Sequence, residues 1–383
     1  MSAVRCAAEV VTGEAGGDAS ACAAEAARAV RDRLGGAPAD VAFVFVSPHH
    51  AADAEAVSAA IRETLEPGAL AGASTEAVIG AGRELEASPA VSVLAASLGA
   101  GAAGARHLSA GDPGDLGAGD TVVLVADPYT YPVDGLLDVL NAGPGTVAVG
   151  GMASGGGAPG EHALFCDDEV HREGAVAVEV TGPVRVRVLV SQGCAAIGPE
   201  MVITRAERNV VLELAGRPAY ERLAEVVHGL DPATAALAAR GVLAGLVIDE
   251  NRAEYGPDDF LMRGILGGDQ ESGALAVADL VRVGQTMRFH VRDAATADAG
   301  LTTALRDGVA QGGRVQGGLL FACNGRGTNM FPGPDHDAAA AARELGGAPV
   351  AGMFCAGEIG PVGGRTFLHG FTATMALLVS DEG

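Results

Sequence analysis

The stretch 350-VAGMFCAGEIGPVGG-364 joins a short apolar strand to a glycine-rich loop that carries a cysteine, Cys355, and a carboxylate, Glu358. A second stretch, 71-AGASTEAVIG-80, has the same Ala-Gly opening and the same Ile-Gly ending as 351-AGMFCAGEIG-360. Each copy follows a strand, a loop and a helix in that order. This recurrence predicts an ancient duplication, with similar units in the two halves of the chain.

Alternation of helical and strand patterns extends outward from both copies. Residues 18–34 are predicted to form a helix that Asp18 caps and Gly35-Gly36 ends, and the β-branched and aromatic run 41–47 is typical of a buried strand. The same alternation of predicted strands and helices recurs at 121–154 and 317–360. The sequence therefore predicts an α/β protein of two pseudo-repeated halves, in which mixed β-sheets carry helices on their outer faces and either stack as a layered sandwich or abut.

The segment 170–217 has a different hydrophobic pattern from the segments on either side of it. Its short apolar or alternating runs, separated by turns, are typical of an antiparallel meander. Pro218 is then well placed as the first residue of a helix over 218–230. A chain of 383 residues suits two domains at about 100–200 residues each, and we place them at 1–217 and 218–383.

Charge and composition exclude several classes of function. The formal net charge is −23, which repels phosphate backbones and anionic membranes, so nucleic acid and membrane partners are not expected. All 25 basic residues are arginine. Without lysine, the chain can form no Schiff base with pyridoxal phosphate and has no phosphate-loop lysine.

Familiar catalytic and metal-binding signatures are also missing. The sequence contains no G-x-S-x-G elbow, no H-E-x-x-H helix and no C-x-x-C pair, and the histidines do not follow a metal spacing. The motif 99-GAGAAG-104 is followed by helix breakers, whereas a dinucleotide site needs a helix there. The six cysteines and the lack of an export signal predict reduced thiols in a cytoplasmic protein with no metal and no recognised enzyme motif.

Two loops near the C-terminus carry the polar residues of a candidate site. Cys323 and Cys355 each end an apolar strand and lead into the charged loops 323-CNGRG-327 and 355-CAGEIG-360. If the strands are neighbours, Arg326 and Glu358 meet at the sheet edge where α/β folds place ligands, and the arginine would also lower the pKa of a nearby thiol. The alternative is that both cysteines are small buried hydrophobes and the Arg-Glu pair is structural.

The C-terminal half resembles the C-terminal part of the FIST domain family (F-box and intracellular signal transduction). The resemblance runs through 259–294, 320-LFACNGRGTNMF-331 and 352–378, and the N-terminal half is more loosely similar through 41–47, 70–80 and 149–154. In the 70–80 loop, Ala77-Val78 stand where the family usually has Gly-Glu. The resemblance implies a cytoplasmic sensory module that binds a small ligand, such as an amino acid, and passes the signal to a separate protein.

In this interpretation the ligand binds at the strand ends between the two halves, where Arg326 would pair with a carboxylate and Glu358 with an amine. The expected ligand-binding residues are Arg326, Glu358, Cys323, Asn324, Cys355, Ser74, Thr75, Ser154 and His369. Besides a purely structural or scaffolding protein, which the sequence does not exclude, two alternatives stay open. One is an enzyme that uses Cys323 or Cys355 as its nucleophile with His369 as the base. The other, since some relatives bind haem, is a haem sensor of nitric oxide, although no cofactor is expected from the residues themselves.

Overall fold

The computed structural model describes residues 4–14, 16–112, 116, 121–143 and 145–380. The helices in these ranges are α1 (Ala19–Leu34), α2 (Ala54–Leu65), α3 (Val133–Ala142), α4 (Ala219–His228), α5 (Pro232–Ala238), α6 (Ala294–Ala310) and α7 (His336–Glu344). The predicted caps of α1 are confirmed: the Asp18 side chain accepts hydrogen bonds from two amides of the first turn, and Gly35 ends the helix with a φ of 65°.

Strands make up much of the remaining chain. They are β1 (Arg5–Thr12), β2 (Val41–Val46), β3 (Ala69–Ser74), β4 (Val78–Gly80), β5 (Arg83–Leu85), β6 (Ala90–Ser97), β7 (Ala102–Leu108), β8 (Thr121–Ala126), β9 (Val147–Met152), β10 (Leu164–Cys166), β11 (Glu169–His171), β12 (Ala175–Thr181), β13 (Arg185–Gln192), β14 (Cys194–Glu207), β15 (Val210–Leu214), β16 (Arg217–Pro218), β17 (Val242–Val247), β18 (Phe260–Asp269), β19 (Ala274–Val277), β20 (Thr286–Arg292), β21 (Arg314–Cys323), β22 (Val350–Cys355), β23 (Glu358–Val362), β24 (Arg365–His369) and β25 (Thr372–Ser380).

The chain divides into two compact units that are not continuous in sequence. The first unit contains residues 1–190, 301–368 and 372–383, and the second contains 191–300 and 369–371. The division at residue 217 stays a prediction about sequence domains, because the units are cut elsewhere. Both predicted sequence halves contribute strands to the first unit.

In its described residues the first unit contains three six-stranded sheets, and the strands of all three are arranged in an equivalent order. The first sheet runs β1-β6-β2-β3-β10-β11, the second β7-β12-β8-β9-β23-β24 and the third β13-β25-β21-β22-β4-β5. At the centre of each lies one parallel pair, β2–β3, β8–β9 or β21–β22, flanked by antiparallel strands. The predicted mixed α/β architecture is therefore confirmed, and the repeated pattern occurs around 149–154 as well as at 71–80 and 351–360.

A glycine stands at the same place in each parallel pair. Gly72 lies opposite Val44, Gly150 opposite Leu124 and Gly352 opposite Leu320. A Cβ on these glycines would lie 1.7, 1.8 and 1.9 Å from the carbonyl oxygen of the opposite residue. Only glycine permits this approach of the two backbones, which explains why the Ala-Gly and Val-Gly openings recur.

The hairpin that follows each parallel pair in sequence pairs with a strand of a different sheet. The β4–β5 hairpin follows β3 but pairs with β22, β10–β11 follows β9 but pairs with β3, and β23–β24 follows β22 but pairs with β9. The three sheets of the first unit are thus interlocked by hydrogen bonds. This exchange brings the loop after each parallel pair beside the next pair.

The inner faces of the three sheets share one hydrophobic core, and the helices cover their outer faces. Phe45, Val123 and Phe321 come from different sheets and belong to this common core. On the outer faces, α1 and α2 pack against the first sheet, α3 against the second, and α7 with the end of α6 against the third. The predicted outer position of the helices is confirmed, while the sheets surround one core.

The second unit is a separate antiparallel structure. Its strands pair in the order β14-β20-β17-β18-β19-β15, and β15 pairs again with β14, which closes the ring. Met287, Phe289 and Leu275 belong to its core, to which α4 and α5 contribute. The single meander predicted over 170–217 is wrong, because β12 joins the second sheet, β13 the third, and β14–β15 this ring. Period-two patterns identify strands but not the sheet that each strand joins.

Candidate functional site

The two loops with the candidate residues begin side by side in the first unit. Cys323 ends β21 and Cys355 ends β22, and the two residues lie opposite each other in the parallel pair. The Asn324 amide donates a hydrogen bond of 3.0 Å to the Cys355 carbonyl, which extends the pairing past the strand ends. The predicted proximity of these loops is therefore present in the structure.

Arg326 is a completely buried guanidinium with a carboxylate partner. Its Nε and Nη2 donate to the two oxygens of Asp337 at 2.5 and 2.9 Å, and its guanidinium carbon lies 5.4 Å from the centre of the Phe331 ring. Burial alone would raise the pKa of Asp337, but the Arg326 charge and its hydrogen bonds outweigh burial and lower that pKa to about 2. The bidentate pair is thus ionised at neutral pH, and one nitrogen, Nη1, is buried without a hydrogen-bond partner.

Glu358, at the start of β23, is also completely buried. Its Oε2 accepts hydrogen bonds from the amide and the hydroxyl of Thr372 at 3.0 and 2.7 Å, whereas Oε1 has no partner. Burial raises the pKa of Glu358 to about 8, against the opposing effects of Thr372 and the Arg326 charge. At pH 7 this carboxyl is mainly protonated.

A second buried carboxyl, Glu84 on β5, approaches from the exchanged hairpin. Its Oε1 accepts hydrogen bonds from the amides of Asp337 and Ala338 at 2.7 and 2.9 Å, at the N-terminus of α7. Burial and the neighbouring Asp337 charge raise the pKa of Glu84 to about 7. Its Oε2 has no hydrogen-bond partner. Sequence reasoning missed Glu84, because nothing in 83-REL-85 shows that this hairpin crosses to the third sheet.

Unpartnered polar atoms concentrate at this place. Nine buried side-chain nitrogen or oxygen atoms in the described residues have no hydrogen-bond partner, and four of them belong to Arg326, Glu358, Asn324 and Glu84. A buried polar atom without a partner costs about 1–3 kcal/mol, so such atoms are rare unless they serve a purpose. We call Arg326, Asp337, Glu358, Asn324 and Glu84 the polar cluster.

The raised pKa values of the two glutamates predict how stability depends on pH. Between about pH 4.5, the ordinary value for glutamate, and pH 8, the folded protein holds protons that the unfolded chain releases, so stability should fall as pH rises. Glu358→Gln keeps an uncharged side chain and should make this fall shallower in urea unfolding at pH 5, 6, 7 and 8. Glu63→Gln, on the exposed face of α2, should leave the wild-type slope. An unchanged slope in Glu358→Gln would contradict the assignment.

Comparisons with known proteins cover almost the whole chain. The sequence profile of the FIST N domain matches residues 40–217, and that of the FIST C domain matches 219–361. An uncharacterized protein of Mycobacterium bovis is 43% identical over 374 residues, which are 95% of this chain and 97% of the relative. An uncharacterized protein of Mycobacterium tuberculosis is 43% identical over 372 residues, or 94% and 97% of the two chains.

The chain belongs to the FIST family. In this FIST protein the Gly-Glu of the family pattern is present in one of three equivalent hairpins. Each hairpin has one residue that lies opposite the position just after the glycine of a parallel pair: Val78, Leu164 and Glu358. Of these three residues, only Glu358 is ionisable. We call the end of each parallel pair, together with the hairpin that pairs there from another sheet, a corner. The first unit has three such corners in its described residues, and only one of them carries the ionisable residues of the polar cluster.

Three of the predicted ligand residues hold the corners of this FIST protein together. The Ser74 hydroxyl accepts a hydrogen bond of 2.9 Å from the Ala163 amide. The hydroxyls of Thr75 and Ser154 lie 3.2 Å apart, and both donate to the Phe354 carbonyl, Ser154 at 2.7 Å. These side chains already have protein partners, so their observed contacts are between corners.

The remaining predicted residues lie in different environments. The Cys355 thiol is completely buried, and burial raises its pKa well above the usual value. Cys323 is partly exposed. His369 is buried, with 3% of its surface exposed, and is assigned to the second unit.

Two negative findings apply to the described part of the FIST chain. It contains no group of three or more His, Cys, Asp or Glu side chains that could hold a metal ion. No helix within it combines the length and the apolar character needed to span a membrane.

Proposed function

We propose that this FIST protein is a sensory protein that binds a small molecule at the polar cluster. The observation that carries the proposal is the set of buried, unpartnered atoms on adjoining loops: one donor, Arg326 Nη1, one acceptor, Asn324 Oδ1, and the carboxyl oxygen Glu358 Oε1, which donates when protonated and accepts when ionised. A ligand that supplies the missing partners would remove their desolvation cost.

The types of atom define the expected ligand chemistry. Arg326 already donates from two nitrogens to Asp337. It can therefore donate from Nη1 to one carboxylate or carbonyl oxygen of a ligand, but it cannot bind a ligand carboxylate in a bidentate way. The Asn324 oxygen, and the Glu358 oxygen once that carboxyl is ionised, require N–H donors. A small zwitterion such as an amino acid carries both kinds of group, and its ammonium would favour ionisation of Glu358.

The position of the cluster also supports a sensor. Glu84 belongs to the N-terminal half of the sequence, and the other members belong to the C-terminal half, so a ligand would touch elements from both. Association with signal transduction and small-ligand sensing is general in this family. A cytoplasmic location and a separate signalling protein that receives the signal are part of the same proposal.

A thermal-shift screen of the amino acids and small carboxamides tests the proposal. A ligand at one hundred times its Kd adds about 2.7 kcal/mol of stability, which should raise the Tm by several degrees. Asn324→Ala and Glu358→Gln should each reduce this rise at equal ligand concentration. Asn251→Ala, an exposed amide in the second unit, is the matched control and should keep it. No shift with any compound, or a shift that survives both cluster substitutions, would refute binding at this place.

The two alternatives from the sequence stay predictions. One histidine that contacts the polar cluster is His336, whose Nδ1 lies 2.9 Å from Asp337 Oδ1 and whose ring is stacked on Phe331 with centroids 3.5 Å apart. For a haem sensor, absorption spectroscopy with added haem is the check. For a cysteine-dependent enzyme, it is labelling of Cys323 by substrate-like electrophiles.

A further inference from the structure

Two cysteines stand opposite each other at the end of the parallel pair β21–β22. Cys323 is the register partner of Cys355, just as Phe321 is the partner of Met353 two residues earlier. Phe321 and Met353 both belong to the inner core of the first unit. Because side chains along a strand alternate between the two faces, both thiols point to the same inner side.

The spacing of the two cysteines suits a disulfide. Neighbouring strands lie about 4.7–4.9 Å apart, which falls inside the range of about 4.4–6.8 Å between Cα atoms that disulfides adopt. Glycines follow both residues, Gly325 two positions after Cys323 and Gly357 two positions after Cys355, so the loops can adjust locally. Both side chains are thiols in this structure.

The other four cysteines have no such arrangement. In the strand registers of the described residues, Cys6 lies opposite Ala96, Cys166 opposite Ala71 and Glu169, and Cys194 opposite Arg292. Cys22 lies in helix α1. Among the register pairs of the part of the chain that the structure describes, only Cys323 and Cys355 place one thiol beside another.

Charged groups around the pair assign different roles to the two thiols. Cys323 is partly exposed and interacts electrostatically with Arg326, and a nearby guanidinium favours the thiolate that attacks disulfides. Cys355 is completely buried, and its sulfur lies against the backbone of Gly151. It also interacts electrostatically with Glu358. Cys323 can therefore meet a reagent from solution, whereas Cys355 can react only with what Cys323 has bound.

We propose that Cys323 and Cys355 form a reversible disulfide by exchange with a small disulfide of the glutathione class. The Cys323 thiolate attacks one sulfur of the reagent, the reagent's S–S bond breaks, and the first thiolate leaves and takes a proton from water. The Cys355 thiol then gives up its proton, its thiolate attacks the Cys323 sulfur, and the second thiolate is expelled and takes up a proton. Two protein thiols are oxidised, and one reagent disulfide is reduced to two thiols.

The bond would join the ends of β21 and β22, from which the loops with Arg326 and Glu358 start. The disulfide itself does not depend on what the polar cluster binds, so its test is independent of the ligand screen. Its reversibility follows from the chemistry, because an excess of the reduced thiol drives the same two steps backwards.

Intact-protein mass spectrometry of the full chain after treatment with oxidised glutathione tests the proposal. After denaturation and alkylation with N-ethylmaleimide, the treated protein should carry four maleimide groups, against six in the untreated protein, and no glutathione. Peptide mapping should find Cys323 joined to Cys355, and dithiothreitol should restore six labels.

Two substitutions separate the roles of the thiols. Cys355→Ser should stop the reaction at one glutathione bound to Cys323, and Cys323→Ser should acquire neither glutathione nor a crosslink at Cys355. Cys22→Ser, outside the sheet, should still form the crosslink. A wild-type protein that keeps all six labels, or that holds glutathione on Cys323 without the crosslink, would overturn the proposal. This readout on the wild-type protein decides the matter even if a variant fails to fold.

Discussion

Arg326→Ala is expected to lower the free energy of unfolding by about 3–5 kcal/mol, because it leaves the Asp337 carboxylate buried without its partner. Both side chains of this pair have 0% exposure, so water cannot take the place of the guanidinium. Glu84 would add to the effect, since it lies close enough to Asp337 for their charges to repel each other. Urea unfolding at pH 7 is the measurement.

An exposed ion pair provides the matched control for Arg326. Arg306 donates to Glu344 at 2.9 Å, but 67% of the Arg306 side chain is exposed. Surface pairs contribute about 0–1 kcal/mol, so Arg306→Ala should have a small effect. A double replacement, Arg326→Met with Asp337→Leu, should be milder than Arg326→Ala, because no buried charge is left alone. Equal effects of Arg326→Ala and Arg306→Ala would show that the buried pair is not a source of stability.

Gly352→Ala should destabilise the first unit by about 3 kcal/mol or more, beyond the usual cost of an added methyl group in a packed core. The new Cβ would lie 1.9 Å from the Leu320 carbonyl oxygen, and neither atom could move away freely, because each is attached directly to a backbone that hydrogen bonds hold in a sheet. The parallel pair would have to separate to relieve the clash. Since β21 and β22 end at the polar cluster, ligand-dependent stabilisation should be lost as well.

Gly104→Ala is the control for the glycine prediction. Gly104 also lies in a strand of the first unit, β7, but an added Cβ would meet nothing within 4 Å. Alanine there should be neutral or slightly stabilising, because glycine in a strand costs about 0.5–1 kcal/mol of backbone entropy. Gly72→Ala and Gly150→Ala should behave like Gly352→Ala. If all four variants unfold at the same denaturant concentration as the wild type, the close approach of the strands is wrong.

Much of the local structure could be predicted from sequence. Asp18 and Gly35 bound a helix through short-range hydrogen bonds and backbone preference, so their effect needs no knowledge of the rest of the chain. The repeat of 71–80 and 351–360 could be seen because the glycine and the flanking apolar residues persist in both copies. The third copy, around Gly150, keeps the glycine and the strand but not the Ile-Gly ending, so it could not be recognised by eye.

The candidate site was predictable in part, since the polar residues that follow β21 and β22 could be read from the chain. Their partners could not. Arg326 was expected to meet Glu358, but the structure gives it Asp337 as a bidentate partner. Glu84 reaches Asp337 across 253 positions of sequence, through a hairpin that leaves its own sheet for another.

The sequence by itself determined the strands, the helices with their ends, and the glycine corners, because caps, turns and side-chain period act over a few residues. It also determined which polar residues follow the strands of the site. Only the tertiary structure decided which sheet each hairpin joins, and therefore that Arg326, Asp337, Glu84 and Glu358 share one buried place. The reason is physical: burial removes water from all four side chains at once, so the ionisation of each depends on partners that the fold, and not the local sequence, brings into contact.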